Sequence, residues 1–415
     1  MKKTKKQKKM LSLNKHFRSR ECESLPYEMV YEIFLNFPVK SLMRFKSVSK
    51  QWNLNISSPE FVQKHLERQI LRTPQMNIFR CHSRTISEDL YYIHRNLKPT
   101  TGENFELLTK TSNMYQRKVG SNNGIVCLYQ DGPDSNSRKL ILWNPSMQQS
   151  RDIDIWSDKR EKIHPIKHGI YCFGFGYDSR TKDYKVVNFV YIEYKNNNTD
   201  PLCLILLYSL REEKWNHTIS IEPPLLPNKL IKISWRSQKA GSRVHWIAFF
   251  KDNNGDMFRS LLFFDIEEKL FGQIALPESI AVVADDSDEN WHHVELASFV
   301  DHRKGSLILF EHKKVNNNNN NNGDGLRFCC DAWVVKKCDS LDYSWAKLEL
   351  SISLDRRFKA LGFLSESIVF VITGDEQILF NIRTQQRHLL QIGGGDILIR
   401  SHVGTCMENM LTLNK

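Results

Sequence analysis

The sequence predicts an α+β multidomain chain: a small N-terminal helical module, then an all-β, propeller-like domain of about five to seven four-stranded blades. Three observations carry this prediction. Apolar residues between positions 24 and 68 recur at helical spacing, a strand, turn, strand pattern returns five times beyond Val119, and the segments joining the copies are polar and unequal in length.

Positions 1–23 read as a disordered basic tail, because Lys2, Lys3, Lys5, Lys6, Lys8, Lys9, Lys15, Arg18 and Arg20 precede the first acid, Glu21. A nuclear-import signal is the other reading of this run. The formal charge of the whole chain is +12, so removing these nine cations leaves about +3 for the body, too little for phosphate binding to be its main task. No apolar stretch follows the tail as in a secretory leader, and the apolar run from Leu202 to Leu207 is far shorter than a membrane span.

Within 24–68, Val30, Ile33, Phe34 and Phe37 share one helical stripe that opens at Pro26 and closes at Pro38. Leu42 and Phe45 begin a second turn set, and Val48, Trp52 and Ile56 follow at four-residue steps. Ser58 and Pro59 cap a last helix that carries Phe61, Val62, His65 and Leu66. A unit of roughly 40 residues is near the lower limit for an independent core. Its surplus Leu, Phe and Trp surface calls either for packing on the following domain or for a partner protein.

Residues 69–118 give a weaker pattern, interrupted by Pro74 and Pro99, with short strands expected near 76–79 and 90–93: a connector and possible first blade. From 119 to 410 the repeats dominate. Their copies occupy 139–155, 202–221, 260–277, 331–350 and 377–392, spaced by about 45 to 70 residues. Each follows another turn-bounded apolar run, at 123–129, 171–187, 244–250, 305–310 and 360–372. Two hairpins per copy make a four-stranded blade, and a lone blade cannot bury both faces, so the array must close or stack. The asparagine run 316–322 is expected to be a loop insertion within one blade.

The order of residues in 24–68 resembles the F-box, especially its plant form. The resemblance is carried by Leu25-Pro26, Tyr31-Glu32-Ile33, Pro38-Val39-Lys40-Ser41-Leu42, the run Arg44 to Lys50, Trp52, and Ser58-Pro59-Glu60-Phe61-Val62. Met29, Phe34 and Asn53 depart from the residues more usual in that family. The repeats are similar to the plant F-box-associated domain through Trp143-Asn144-Pro145-Ser146, Gly174 to Asp178, Asp183 to Val187, Tyr208-Ser209-Leu210 with Trp215, His245-Trp246, and Phe264-Asp265-Ile266 with Glu268 and Phe271. Gln148-Gln149 is a departure there.

The resemblance implies a substrate-recognition subunit of an SCF-type ubiquitin ligase. A Skp-type adaptor, and through it cullin and RING subunits, would be held by Leu25, Pro26, Leu42, Val48 and Trp52. Val30, Ile33, Phe34, Phe45 and Phe61 would form the F-box core, and the β-domain would bind an unidentified target protein. An F-box protein acting outside the ligase is the alternative.

The sequence holds only fragments of catalytic signatures. Gly174-x-Gly176 lacks the third glycine and the following helix of a dinucleotide site. His164 and His168 flank Pro165 with no Glu after His164, unlike a zinc-protease pair. His292-His293 stands alone, and the acids Asp285, Asp286, Asp288 and Glu289 lack the glycine and terminal Glu of a calcium loop. A copper-radical oxidase on a propeller would need Tyr, His and Cys ligands that do not align here. The expectation is a non-enzyme with no cofactor, no membrane and no nucleic-acid partner. Nine scattered cysteines without a C-x-x-C pair imply reduced thiols in cytoplasm or nucleus.

Overall fold

The computed structural model describes residues 25–71 and 76–413, apart from 84–88, 96–104, 112–115, 132–137, 156–165, 196–200, 221–227, 284–291, 300–305, 317–325, 338–342 and 391–396 and the single positions 235, 366 and 375. The basic tail, His164, the acid cluster 285–289 and the asparagine run from 317 onward lie outside the described residues. The chain divides into two compact units, Met1–Arg68 and Gln69–Lys415.

Four helices form the first segment: α1 (Tyr27–Phe34), α2 (Val39–Phe45), α3 (Lys50–Ser57) and α4 (Pro59–Ile70). Pro26 and Pro38 occupy the N-cap positions of α1 and α2. Two serines cap the others: Ser49 Oγ accepts from the Trp52 N–H at 3.1 Å, and Ser58 Oγ accepts from the Phe61 N–H at 3.2 Å.

The second unit is a six-bladed propeller. Blade 1 contains β1 (Met76–Ser83), β2 (Asp89–Arg95) and β3 (Phe105–Thr111); blade 2 contains β4 to β7 (Gln116–Asn122, Ile125–Gln130, Lys139–Asn144, Gln149–Asp154). Blade 3 is β8 to β11 (Ile166–Asp178, Asp183–Tyr194, Leu202–Ser209, Lys214–Ser220). Blade 4 is β12 to β16 (Lys229–Ile233, Gln238–Ala240, Arg243–Lys251, Met257–Asp265, Leu270–Ile274), followed by the short α5 (Glu278–Ala281). Blade 5 is β17 to β20 (His292–Phe299, Ser306–Asn316, Leu326–Lys337, Tyr343–Leu354), and blade 6 is β21 to β24 (Lys359–Ser365, Ile368–Thr373, Glu376–Asn381, Arg387–Leu389).

The last strand, β25 (Ile397–Cys406), returns to blade 1 and pairs antiparallel with β1 from Met76↔Cys406 to Ser83↔Ile397. Inner strands then follow one another around a ring: β25 beside β4, β4 beside β8, β8 beside β12 and β13, β13 beside β17, β17 beside β21, and β21 beside β25. The five sequence copies are blades 2 to 6. Residues 76–111 are the outer three strands of blade 1, whose inner strand comes from the other end of the unit.

Consecutive blades are joined by apolar clusters between their faces. Val244, Trp246 and Leu262 of blade 4 pack on Val187, Phe189 and Ile205 of blade 3, and Phe79 and Cys81 of blade 1 pack on Phe370 and Leu379 of blade 6. Burial at roughly 25 cal/mol per Å² of apolar surface makes these seams the main source of stability. Gly174 is part of this fit: a Cβ there would stand 2.5 Å from Val244 Cγ1 and 2.7 Å from Trp246 Cζ2. The glycine pair of β8 therefore serves close blade packing. Two indoles staple outer strands across other seams, Trp215 Nε1 of blade 3 donating to Asp154 O of blade 2 at 2.9 Å and Trp345 Nε1 of blade 5 to Ala275 O after blade 4's last strand at 2.8 Å.

A five-residue turn recurs at the hairpin tips. Its first residue accepts backbone N–H bonds two and three positions on, and its fifth takes a positive φ. Asn144 with Gln148 (φ 53°), Asp178 with Lys182 (φ 51°), Asp265 with Lys269 (φ 57°) and Asn381 with Gln385 (φ 58°) all follow this rule.

The segment after β25 is strapped to blades 2 and 3. Asn409 Nδ2 donates to Asn123 O at 2.6 Å and to the Tyr184 hydroxyl at 2.7 Å, while Asn144 Nδ2 donates to Asn409 O at 3.1 Å and Leu411 O at 2.8 Å. Gly124, at φ +82°, passes so close that a Cβ would lie 2.4 Å from Met407 O. Since both the dihedral and a backbone atom oppose a side chain, Gly124→Ala should lower stability by about 2 kcal/mol or more, measured as a fall in the urea midpoint.

Two buried imidazoles give the propeller a pH dependence. His312 Nδ1 meets His293 O at 3.1 Å and its Nε2 accepts from the Ala360 N–H at 2.8 Å, joining blade 5 to blade 6. Burial, followed by the neighbouring His293, depresses His312 to about 3; burial likewise depresses His245, bonded to Gln238 O at 3.3 Å, to about 4. Both stay neutral in the folded chain but take up protons near 6.5 when unfolded. Their contribution is complete above pH 6.5 and is lost as pH falls toward 4 and 3, at about 1.4 kcal/mol per pH unit for each. The urea midpoint should fall between pH 6.5 and 4.5, less steeply in His312→Gln; a flat profile would contradict this.

Candidate docking surface of the helical unit

Proline and serine caps hold the first helices short, so each presents only two turns and several apolar side chains have no inward direction left. Phe34 is the centre of what does face inward. Its ring is stacked on Phe45 at 5.5 Å and edge-on to Trp52 at 4.9 Å, and Phe37 and Trp52 each reach Phe45, at 5.2 and 5.8 Å. Such aromatic pairs add about 0.5–1.5 kcal/mol each to the burial of their area. Tyr31 stands edge-on to Phe61 at 5.3 Å, with the Lys64 ammonium 5.4 Å over its ring. Polar ties join α4 back to α1 and the turn that follows it: the fully buried His65 bonds Phe37 O through Nε2 at 3.1 Å, and Arg68 pairs with Glu32.

The residues expected to form the core divide. Phe34 and Phe61 are buried, and Val30 and Phe45 are half-buried. Ile33 is a correction: it is 41% exposed. It lies four residues from Met29, itself 52% exposed, so these two form an outward stripe while Val30, Phe34 and Phe37 turn inward.

The residues expected to meet a partner divide as well. Leu25, Pro26 and Val48 are exposed, and Trp52 is half-buried. Leu42 is the second correction. It is fully buried, because it stands three residues after Val39 on the inward face of α2 and both side chains are taken up there. Sequence reasoning missed the outward Tyr27, Met29 and Leu54, whose apolar character at non-stripe positions of short helices was the available signal.

Eight of the fourteen exposed large apolar side chains among the described residues fall between 25 and 71, a small fraction of the chain. Between Leu25-Pro26, α1 and α3 lies an apolar groove of about 550 Å³, lined by Leu25, Tyr27, Val30, Phe34, Trp52 and Phe61 among others. The Tyr31 hydroxyl on this groove is buried without a hydrogen bond. The surface can bind an apolar protein face; it holds no nucleophile, base or ligand cluster. Among the described residues of the whole chain, no group of three or more His, Cys, Asp or Glu is arranged to hold a metal ion, and His168 is bonded to Ile231 O at 3.1 Å.

Two family models match the chain: the F-box domain over residues 22–64, and the F-box associated beta propeller domain over 76–409. Relatives in Arabidopsis thaliana include F-box/WD-40 repeat-containing protein 1, 28% identical over 41% of this chain and 37% of that protein. F-box protein CPR1 is 27% identical over 62% of this chain and 61% of its own length. F-box protein At5g42460 is 23% identical over 86% and 84%. The aligned part is thus under two thirds of the first two relatives and most of the third.

Trp52→Ala should cost the helical unit about 2–3 kcal/mol, less than a fully buried aromatic would, because Trp52 supports Phe34 and Phe45 from a half-buried position. Amide exchange should accelerate in α1 and α3 and stay unchanged in the propeller.

Proposed function

The chain belongs to the F-box proteins that carry an F-box associated beta propeller domain, and from that membership we propose that it is the substrate-recognition subunit of an SCF-type ubiquitin ligase. The helical unit binds a Skp-type adaptor, which links it to cullin and RING subunits. The propeller presents its variable loops to a target protein. The role is non-catalytic: holding the target near the ubiquitin-bearing enzyme turns a bimolecular encounter into an effectively intramolecular one.

The main support is the uneven distribution of oily surface. Soluble domains rarely leave Leu25, Tyr27, Met29, Ile33, Val48 and Leu54 exposed on so small a unit, and a protein partner removes that cost. The side chains that would carry adaptor binding are therefore Leu25, Pro26 and Val48, with Trp52 shaping the groove, and Leu42 acts from beneath by holding α2. Loops on a rigid scaffold are the usual site of recognition, which favours the blade connections as the target surface. Free thiols at Cys81, Cys127, Cys172, Cys203, Cys329 and Cys330 suit the reducing conditions of cytoplasm or nucleus, where we place the protein.

Val48→Asp separates docking from folding. Val48 is 63% exposed, so a charge there should leave amide exchange of the helices unchanged while lowering co-purification of the adaptor about tenfold or more. Leu42→Ala should reduce both. Undiminished adaptor binding by Val48→Asp and by Leu25→Asp would refute the assigned surface.

A further inference from the structure

The inner strand of blade 4 is broken. β12 pairs with the far half of β14, Ala248 to Lys251, and β13 with its near half, Arg243 to His245. Ser234 N–H still bonds Ile247 O on β14 at 2.7 Å, and β13 lies against β4 of blade 2 as well as β8 and β17. Blade 2 is not a neighbour of blade 4 in the ring, so this segment spans the centre of the propeller. Its attachments agree: the buried Ser237 hydroxyl donates to Val119 O on β4 at 2.6 Å, and Arg236 pairs with Glu295 on β17.

Lys118 precedes Val119 on β4 and lies within electrostatic range of Arg236 and Glu295. It is deep in the fold yet keeps part of its surface accessible. Among the described residues no carboxylate, carbonyl or hydroxyl accepts a hydrogen bond from its ammonium. Charged side chains in such places are almost always paired, since an unpaired one forfeits its hydration. Arg236 is also incompletely used: one guanidinium nitrogen bonds Glu295, the other N–H groups have no partner among the described residues, and 41% of the side chain is open.

The local charge does not balance. Glu295 is a carboxylate, since Arg236 and His293 hold it down at about 2 against the opposing effect of burial. That single negative charge faces two cations, one of which has no contact with it. Burial and then Arg236 pull Lys118 down to about 8, against the weaker upward pull of Glu295.

We propose that Lys118 and Arg236 form a binding site for a small oxyanion, a phosphate or carboxylate group, at the centre of the propeller. The unused guanidinium and ammonium donors supply the hydrogen bonds that such a group accepts. Bound there, the anion would bridge β4 of blade 2 to the crossing segment of blade 4 and the Glu295 strand of blade 5.

The test uses the full-length chain, titrated calorimetrically with sulfate, inorganic phosphate and acetate at an ionic strength held constant with chloride. Sulfate does not titrate near neutral pH, so any proton taken up belongs to the protein. At pH 8 its binding should be saturable and accompanied by uptake of about half a proton, read from the dependence of the heat on buffer ionisation, with almost none at pH 6.5. Lys118→Met should abolish saturable binding and, without anion, melt at or above the wild-type temperature because an unpaired charge is gone. Phosphate binding without acetate binding assigns the site to tetrahedral anions, and the reverse to carboxylates. Three results would overturn the proposal: no anion exceeding chloride in the wild type, equal saturable binding in Lys118→Met, or wild-type sulfate binding at pH 8 with no proton uptake. The last needs no variant to fold.

Discussion

A four-stranded sheet that is apolar on both faces cannot exist alone in water, and the β unit of this protein is six such sheets. Each blade hides its faces only against its two neighbours, so the ring must close for the end blades to be stable. Closure is carried by one antiparallel pair, β25 on β1, joining strands more than 300 residues apart in sequence. Everything else in the unit is arranged around that pair: the seams of aliphatic and aromatic residues, the indole staples, and the strap through Asn409.

The helical unit meets the same problem differently. It is too small to enclose all its apolar residues, and its caps keep the helices too short to wrap a larger core. Phe34, Phe45, Trp52 and Phe61 use up the interior, and Met29, Ile33, Val48 and Leu54 remain outside. The propeller cures its surplus by repetition, and the helices cure theirs by association.

Between these oily seams the propeller keeps a polar centre. The broken strand of blade 4 brings Arg236 to Glu295 and Ser237 to Val119, so blades that are not neighbours communicate across the axis. His312 links blades 5 and 6 beside it. Buried polar groups of this kind cost stability unless satisfied, which is why acid is expected to loosen the ring and why Lys118 stands out.

Helical stripes, proline and serine caps and the five strand-turn-strand copies were legible in the chain, because each depends on residues within a few positions of one another. Those features were enough to separate a helical module from a propeller-like array and to bring the F-box into view. Three things were not legible. Stripe analysis put Ile33 and Phe34 on the same face, but short helices packed at their own angles turned one in and the other out, and turned Leu42 in as well. The weak pattern of 76–111 became a blade only because a strand from the far end of the chain completes it, and no local signal announces a partner at that separation. The centre of the propeller was invisible for the same reason: Lys118, Arg236 and Glu295 are unremarkable surface-type residues until ring closure sets three different blades around one axis.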